Sequence, residues 1–201
     1  MINDMADNFI PSDQRSQFLA EGSYYLARAI FHLAEVGGIP PAEKQKAGEE
    51  AIALVRQALK LHTQLHGAES AQVAGDMSSL ADALNHFNYV DDDEILRLYE
   101  QAIAITGRVE GSSYPNMAVS EGNLGNVYFN RAERAQAAND LDRCTANFEL
   151  ALTHLRESVR IYRAINHVDS AEGNLRTVAA VEEKMRQIGI ARAAAGAATR
   201  G

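Results

Sequence analysis

Tryptophan is absent from this 201-residue chain, cysteine occurs once and proline four times. Each shortage excludes something. With Cys144 alone, no disulfide framework and no multi-cysteine zinc site can be built within one chain. Three of the prolines, Pro11, Pro40 and Pro41, lie in the first fifth, so long stretches downstream carry nothing that breaks a helix. Lysine appears only at Lys44, Lys46, Lys60 and Lys184, and there is no Lys/Arg run. The formal net charge is −8 and the pI about 5.2. That balance disfavours binding to nucleic acid or to an anionic membrane. No apolar run approaches the length of a membrane span, and Met1 to Ile10, with Asp4 and Asp7, does not read as a signal peptide. The expected setting is a soluble protein of the cytoplasm.

What is present points to helix. Hydrophobic residues make up 46% and charged residues 23%, enough for a packed core. Alanine is abundant and aromatics are few, a balance that favours helix over sheet. The pattern also repeats. Arg56–Ala74, Glu100–Ala118 and Arg156–Asn174 align, with Ala58, Ala102 and Ser158 in one slot and Leu61, Ile105 and Ile161 in another. Gly67 and Gly111 coincide, and His167 takes their place in the third copy. A second motif aligns Leu80, Leu124 and Leu175, spaced by 44 and then 51 residues, with Leu26 in an earlier copy. Each unit is therefore expected to hold two helices, a first and a second.

The slots make physical sense. In the first helix a large apolar residue is followed by a small one and, a turn later, by another large one. These sets are Leu26/Ala27/Ile30, Leu80/Ala81/Leu84, Leu124/Gly125/Tyr128 and Leu175/Arg176/Val178. The small residue lets a neighbouring helix come close. In the second helix, Ala51, Val55, Ala58 and Leu61 share one face, as do Ile95, Tyr99, Ala102 and Ile105, and Ala151, Leu155, Ser158 and Ile161. Seven helices are predicted, over 12–36, 41–66, 70–89, 92–109, 115–136, 140–165 and 169–190. Pro40-Pro41, Asp91 to Glu94 and Asn139-Asp140 serve as helix starts, and Gly67 and Gly111 as ends. Residues 1–11 form an extension, and 191–201, ARAAAGAATRG, a low-complexity tail that frays or begins a linker.

These slots resemble the tetratricopeptide repeat (TPR), in its kinesin-light-chain-like form. The Leu-Gly-x-x-Tyr core stands as Leu124-Gly125-Asn126-Val127-Tyr128, and the long linker appears as Gly67…Val73-Ala74 and Gly111…Tyr114-Pro115-Asn116-Met117-Ala118. The resemblance covers about Ser23 to Ile190. It implies an all-α, right-handed TPR-like superhelix of antiparallel helix pairs, three and a half repeats long. The units would be 12–67, 68–111 and 112–167, with a terminal helix over 168–190. The sequence departs from the family where the tryptophan slot holds Glu121 and a small-residue slot holds Arg176. No heptads precede the repeats, which speaks against a motor-cargo role.

Candidate chemistry is sparse. His62 and His66 sit one turn apart, at metal-ligand spacing, yet no third ligand accompanies them, and two exposed histidines are the simpler reading. Asp91 to Glu94 lacks the alternation of a calcium loop. Cys144 lies beside Arg143 but has no visible base, and reads as buried or incidental. No nucleophile elbow, phosphate loop or dinucleotide fingerprint occurs, so neither catalysis nor a cofactor or metal is expected.

The asparagines carry more. The resemblance implies that first helices line a concave groove whose Asn side chains hydrogen-bond the backbone of an extended peptide. An amide is donor and acceptor together, so it can hold a peptide bond whatever its sequence. Tyr24, Arg28, His32, Asp82, Asn85, His86, Asn123, Asn126, Phe129, Asn130 and Asn174 are the candidate partner-binding residues. The expected function is a protein-interaction scaffold or adaptor for a partner peptide or helix. The alternative is a structural subunit of a larger assembly, or self-association through the C-terminal end near Ile188 and Ile190.

Overall fold

The computed structural model describes residues 12–87, 92–109, 111 and 115–198. They form seven α-helices: α1 Ser12–Glu35, α2 Lys44–His66, α3 Ala71–His86, α4 Asp92–Val109, α5 Pro115–Ala137, α6 Leu141–Ala164 and α7 Val168–Ala198. No strand occurs among the described residues. Contacts divide the chain into two units, Met1–Val109 and Glu110–Gly201. In the first, α1 packs on α2, α2 on α3 and α3 on α4, and α1 also touches α3. In the second, α5 packs on α6 and α6 on α7. The expected all-α architecture of helix pairs is what the chain adopts.

Helix boundaries follow local chemistry. Ser70 caps α3 by accepting from the Val73 amide at 3.4 Å, and Asp140 caps α6 by accepting from the Arg143 amide at 3.1 Å. At the end of α1 the Gly38 amide donates to the Leu33 carbonyl at 2.8 Å, with Gly37 left-handed between them. The same closure ends α5, where the Asp140 amide reaches the Ala135 carbonyl with Asn139 left-handed, and α6, where the His167 amide reaches the Tyr162 carbonyl with Asn166 left-handed. Gly67 and Gly111 have positive φ as expected, but in the third copy Asn166 supplies it rather than His167. Asparagine is the side chain that tolerates this region best after glycine.

Two boundaries differ from expectation. Pro40 and Pro41 begin a turn, closed by the Glu43 amide on the Pro40 carbonyl at 2.9 Å, and α2 starts only at Lys44. The tail does not end the last helix at residue 190, because α7 runs on to Ala198. Alanine is the strongest helix former, and six of the eight residues 191–198 are alanine. Residues 1–11, the end of the expected third helix at 88–89, Asp91, Tyr114 and residues 199–201 lie outside the described residues.

The core is built from the repeat slots. Ala51, Val55 and Ala58 of α2, Ile95, Tyr99, Ala102 and Ile105 of α4, and Ala151, Leu155, Ser158 and Ile161 of α6 are all buried, while Leu61 is half-buried. Leu80, Ala81 and Leu84 are buried on α3, and Leu124, Gly125 and Tyr128 on α5. The Gly125 slot is obligatory: a Cβ there would lie 2.7 Å from Leu155 Cγ and 3.1 Å from the Leu155 amide nitrogen. On α7 Val178 is buried, Leu175 half-buried and Arg176 exposed.

The expectation fails on α1. Leu26 is 49% exposed and Ile30 half-buried, while Ala27 of the same set is buried as expected, beside Ala20 and Ser23. No hairpin precedes α1 among the described residues, and the large-residue slot is left uncovered. At the other end, Ile188 is buried and offers no apolar surface for self-association there; the Ile190 side chain lies outside the described residues.

Candidate functional site

In the first unit the expected residues lie on α1 and α3. Tyr24 is half-buried, and the Arg28 guanidinium sits over its ring at 5.7 Å. His32 is exposed, and Asn85 half-buried. Asp82 accepts a hydrogen bond from the Tyr99 hydroxyl of α4, which holds its carboxylate against the hairpin. His86 lies between Phe31 of α1, at 4.7 Å, and Phe87, at 4.9 Å. This aromatic contact joins the two first helices of the unit, and Phe31 was absent from the sequence-based set.

In the second unit, Asn126 and Asn130 stand exposed on α5, one helical turn apart. Asn123, on the same side, is half-buried. Phe129 is half-buried beside them, with its ring against Phe148 at 5.7 Å and the Lys184 ammonium over it at 5.8 Å. Lys184 also pairs with Glu133 at 2.7 Å, holding α7 against α5. The exposed amides are therefore carried by a helix braced on both sides.

Asn174 has a different place. Its amide nitrogen donates to Ser158 Oγ at 2.7 Å, and that hydroxyl donates to the Ala118 carbonyl at 2.5 Å. A Cβ on Gly122 would come within 2.9 Å of the Asn174 amide. Asn174 thus ties α7 to α6 and α5 from inside the unit. The slot it shares with Asn123 is repeated in sequence, but its surroundings are not.

Two histidine–carboxylate pairs, one nearly sealed and one half-buried, escaped the sequence reading. His62 and His66 were expected to be exposed; His66 is, but His62 is only 5% exposed. Residue 62 falls one turn beyond Ala58 on the inward face of α2, and its Nδ1 meets Asp76 Oδ2 of α3 at 2.7 Å. Burial pushes the Asp76 carboxyl above its usual range, and the His62 hydrogen bond and charge partly offset that shift. His62 Nε2 is buried with no hydrogen-bond partner. No group of three potential metal ligands occurs among the described residues. In the second unit, Glu121, in the slot where the repeat pattern has tryptophan, is buried and meets His154 Nδ1 at 2.7 Å. The His154 ring stacks on Tyr128 at 5.5 Å. A carboxylate–imidazole pair and a ring stack stand in this slot. Cys144 is fully buried, which favours the structural reading of it.

A groove of about 560 Å³ runs between α6 and α7. Val159, Leu175, Val178 and Ala179 line it, and Arg156, Arg160 and Arg163 form its rim. Arg156 pairs with Glu182 at 2.7 Å and Arg160 with Glu157 at 2.6 Å. The Arg160 hydrogen bond holds the Glu157 carboxyl below its ordinary range. The sequence reading did not single out these arginines, and the groove depends on how α7 lies against α6.

These hairpins, with large and small residues alternating at their contacts, define an all-α, TPR-like repeat architecture. No family model matches the chain, and no curated protein matches it. Among solved structures it is similar to BtubC (BKLC) from P. vanneervenii, with a TM-score of 0.48 and 19% identity over 88% of this chain and 65% of that one. This chain thus spans a little under two thirds of that protein's length. It is also similar to a Podosopora anserina structure described as kinesin light chain nearly identical TPR-like repeats. There the TM-score is 0.43 with 20% identity, over 84% of this chain and 76% of that one. A single-substitution form of the latter gives 0.40 and 18%, over 89% and 99%. No described helix is long and apolar enough to cross a membrane.

Proposed function

We propose that this chain is a protein-interaction scaffold that holds an extended peptide of a protein partner against the first-helix faces of its hairpins. The hairpins at 12–67, 68–111 and 112–167 serve as its repeat units. The observation that carries the reading is the pair of exposed side-chain amides, Asn126 and Asn130, one turn apart on a braced helix. Each amide donates to a peptide carbonyl and accepts from a peptide N–H, so the two together grip adjacent stretches of backbone without reading its side chains. Phe129, between them in sequence and half-buried, offers an apolar edge for one side chain of the peptide. In the first unit, Tyr24, Arg28 and His32 on α1, with Asn85 and His86 on α3, supply the corresponding surface.

The test is affinity purification with mass spectrometry, comparing the wild type with the Asn126→Ala/Asn130→Ala double variant. The partner recovered by the wild type is expected to be lost from the variant. Thermal stability should move by no more than about 0.5 kcal/mol, as for exposed surface positions. Unchanged recovery of every partner overturns the assignment to this face.

A further inference from the structure

In the first unit, α4 closes the junction where α2 meets α3. It packs along α3, and Glu94 in its first turn pairs with Arg56 of α2 at 3.3 Å. Leu59 of α2 packs against a cluster that includes Ala102 and Ile105 of α4. In the second unit α6 meets α7 in the same way. Arg156 and Val159 hold the slots of Arg56 and Leu59, and Leu175 holds that of Leu80. No described helix takes the place of α4 over this junction. The groove of about 560 Å³, lined by α6 and α7 alone, lies there instead.

Burial and charge both follow this difference. Leu80, Ala81 and Leu84 of α3 are buried, whereas their counterparts on α7 are not: Leu175 is half-buried, and Arg176 and Ala179 are exposed. Arg156 has no equivalent of Glu94 to meet, and it pairs with Glu182 of α7, both side chains well exposed. Lys60, Thr63 and Ala81 of the first junction are replaced in the second by Arg160, Arg163 and Arg176, all exposed. Arg163 forms no ion pair among the described residues. The net charge of −8 falls wholly within residues 1–109, because 110–201 carry as many Lys and Arg as Asp and Glu. An acidic partner therefore meets a row of arginines here and no net repulsion from this half of the chain.

We propose that the α6–α7 groove docks an amphipathic helix of a protein partner, acidic in its first turn and seated as α4 is seated on α2 and α3. Its apolar face rests on Val159, Leu175, Val178 and Ala179, and its first-turn carboxylates take Arg156 from Glu182. The occupant is not a plain copy of α4. In the α5–α6 hairpin, Leu155 presses on the small-residue slot at Gly125, and Tyr99 is the α4 residue in the register of Leu155. On α7 that slot holds Arg176, so the partner brings a carboxylate there in place of a large apolar side chain. A nucleic-acid strand does not suit the groove, since no aromatic side chain lines it for a base to stack on and Glu182 stands in its wall. The site is separate from the Asn126–Asn130 face. Glu182 and Lys184 lie about 200° apart around α7, and while Glu182 turns to α6, Lys184 turns to α5.

The probe is a fluorescent synthetic peptide with the 18-residue sequence of Asp92–Val109 carrying Tyr99→Glu, titrated with the full chain and followed by anisotropy. Saturable binding is expected, weakening as salt is raised. Arg156→Glu with Arg163→Glu should weaken it about tenfold, as two exposed ion pairs turn repulsive. Both arginines are exposed, so circular dichroism of the variant should be unchanged. A peptide that also carries Asp92→Asn, Asp93→Asn and Glu94→Gln should lose a similar factor. The Asn126→Ala/Asn130→Ala chain should bind the probe as the wild type does, so this site and the asparagine face can fail separately. The proposal is overturned by a probe that does not bind saturably. It is overturned equally by binding indifferent to the arginine substitutions or to the neutral first turn, and by binding lost with the asparagine pair.

Discussion

The hairpins α1–α2 and α5–α6 carry the same repeat slots and treat them in opposite ways. Leu124 on α5 is fully buried, whereas Leu26, its counterpart on α1, is half exposed. Gly125 and Gly122 on α5 are pressed by Leu155, Ser158 and Asn174, whereas Gly22 on α1 faces open space. In one hairpin the pattern is read out as packing. In the other it leaves an apolar stripe. The lesson is that a repeat slot encodes a demand for a neighbour, and whether the demand is met depends on which elements lie next to it in space. The units also differ in how they hold a histidine against a carboxylate. The His62–Asp76 pair bridges α2 and α3 and is nearly sealed, while the Glu121–His154 pair lies inside one hairpin with the His154 side chain 23% exposed.

The largest effect should come from testing the glycine contrast at its forced end. Gly125→Val places methyl groups where Leu155 and the Ala151 carbonyl already stand. It should cost about 3 kcal/mol, the upper end for overpacking, because part of the obstacle is backbone. Chemical denaturation would show this, and a loss below about 1 kcal/mol would mean that α5 and α6 separate more easily than their contact implies.

Next comes the sealed pair. Asp76→Ala leaves His62 Nδ1 buried without its partner and should cost about 2–3 kcal/mol. Glu121→Ala, which leaves His154 behind with its side chain 23% exposed, should cost less, since water can reach that group. Equal losses would break the contrast between the two pairs.

A pH series sharpens the same point. The Asp76 carboxyl is raised above its ordinary 3.8 by burial, so the folded state binds this proton more tightly than the unfolded state does. The stability it contributes is full below 3.8 and is lost as pH rises through the folded-state value. The difference in unfolding free energy between the wild type and Asp76→Asn should therefore fall as pH rises through that window and then level off. A difference independent of pH would show that Asp76 titrates as it does in the unfolded chain.

The smallest effect tests the glycine contrast at its open end. Gly22→Ala should stabilise the chain by about 0.5–1 kcal/mol, the helix-propensity difference. A loss would mean that α1 is already crowded at that point within the single chain.

Much of the fold could be read from the residues. Six of the seven helices end within two residues of a Gly or Asn signal or a periodicity break. The inward faces of α2, α4 and α6 follow from spacing alone, because Ala58, Ala102 and Ser158 recur where helices approach. The candidate site was legible in part. Asn126 and Asn130 are exposed as helical phase predicts, but Asn174, in an aligned slot, is drawn inward by Ser158. Phase gives a side chain's direction on its own helix and not what stands opposite. His62 illustrates the same limit, since its partner Asp76 belongs to another helix, 14 residues on.

The sequence by itself determined that this chain forms helices, where most begin and end, and which face of each is apolar. Those properties depend on local propensity, capping and a 3.6-residue period, all written in neighbouring residues. Tertiary structure alone decided that Leu124 is buried and Leu26 is not, that His62 meets Asp76, and that Asn174 serves the interior while Asn126 faces outward. Burial and pairing are relations between elements distant along the chain, and only their arrangement in space settles which demands are met.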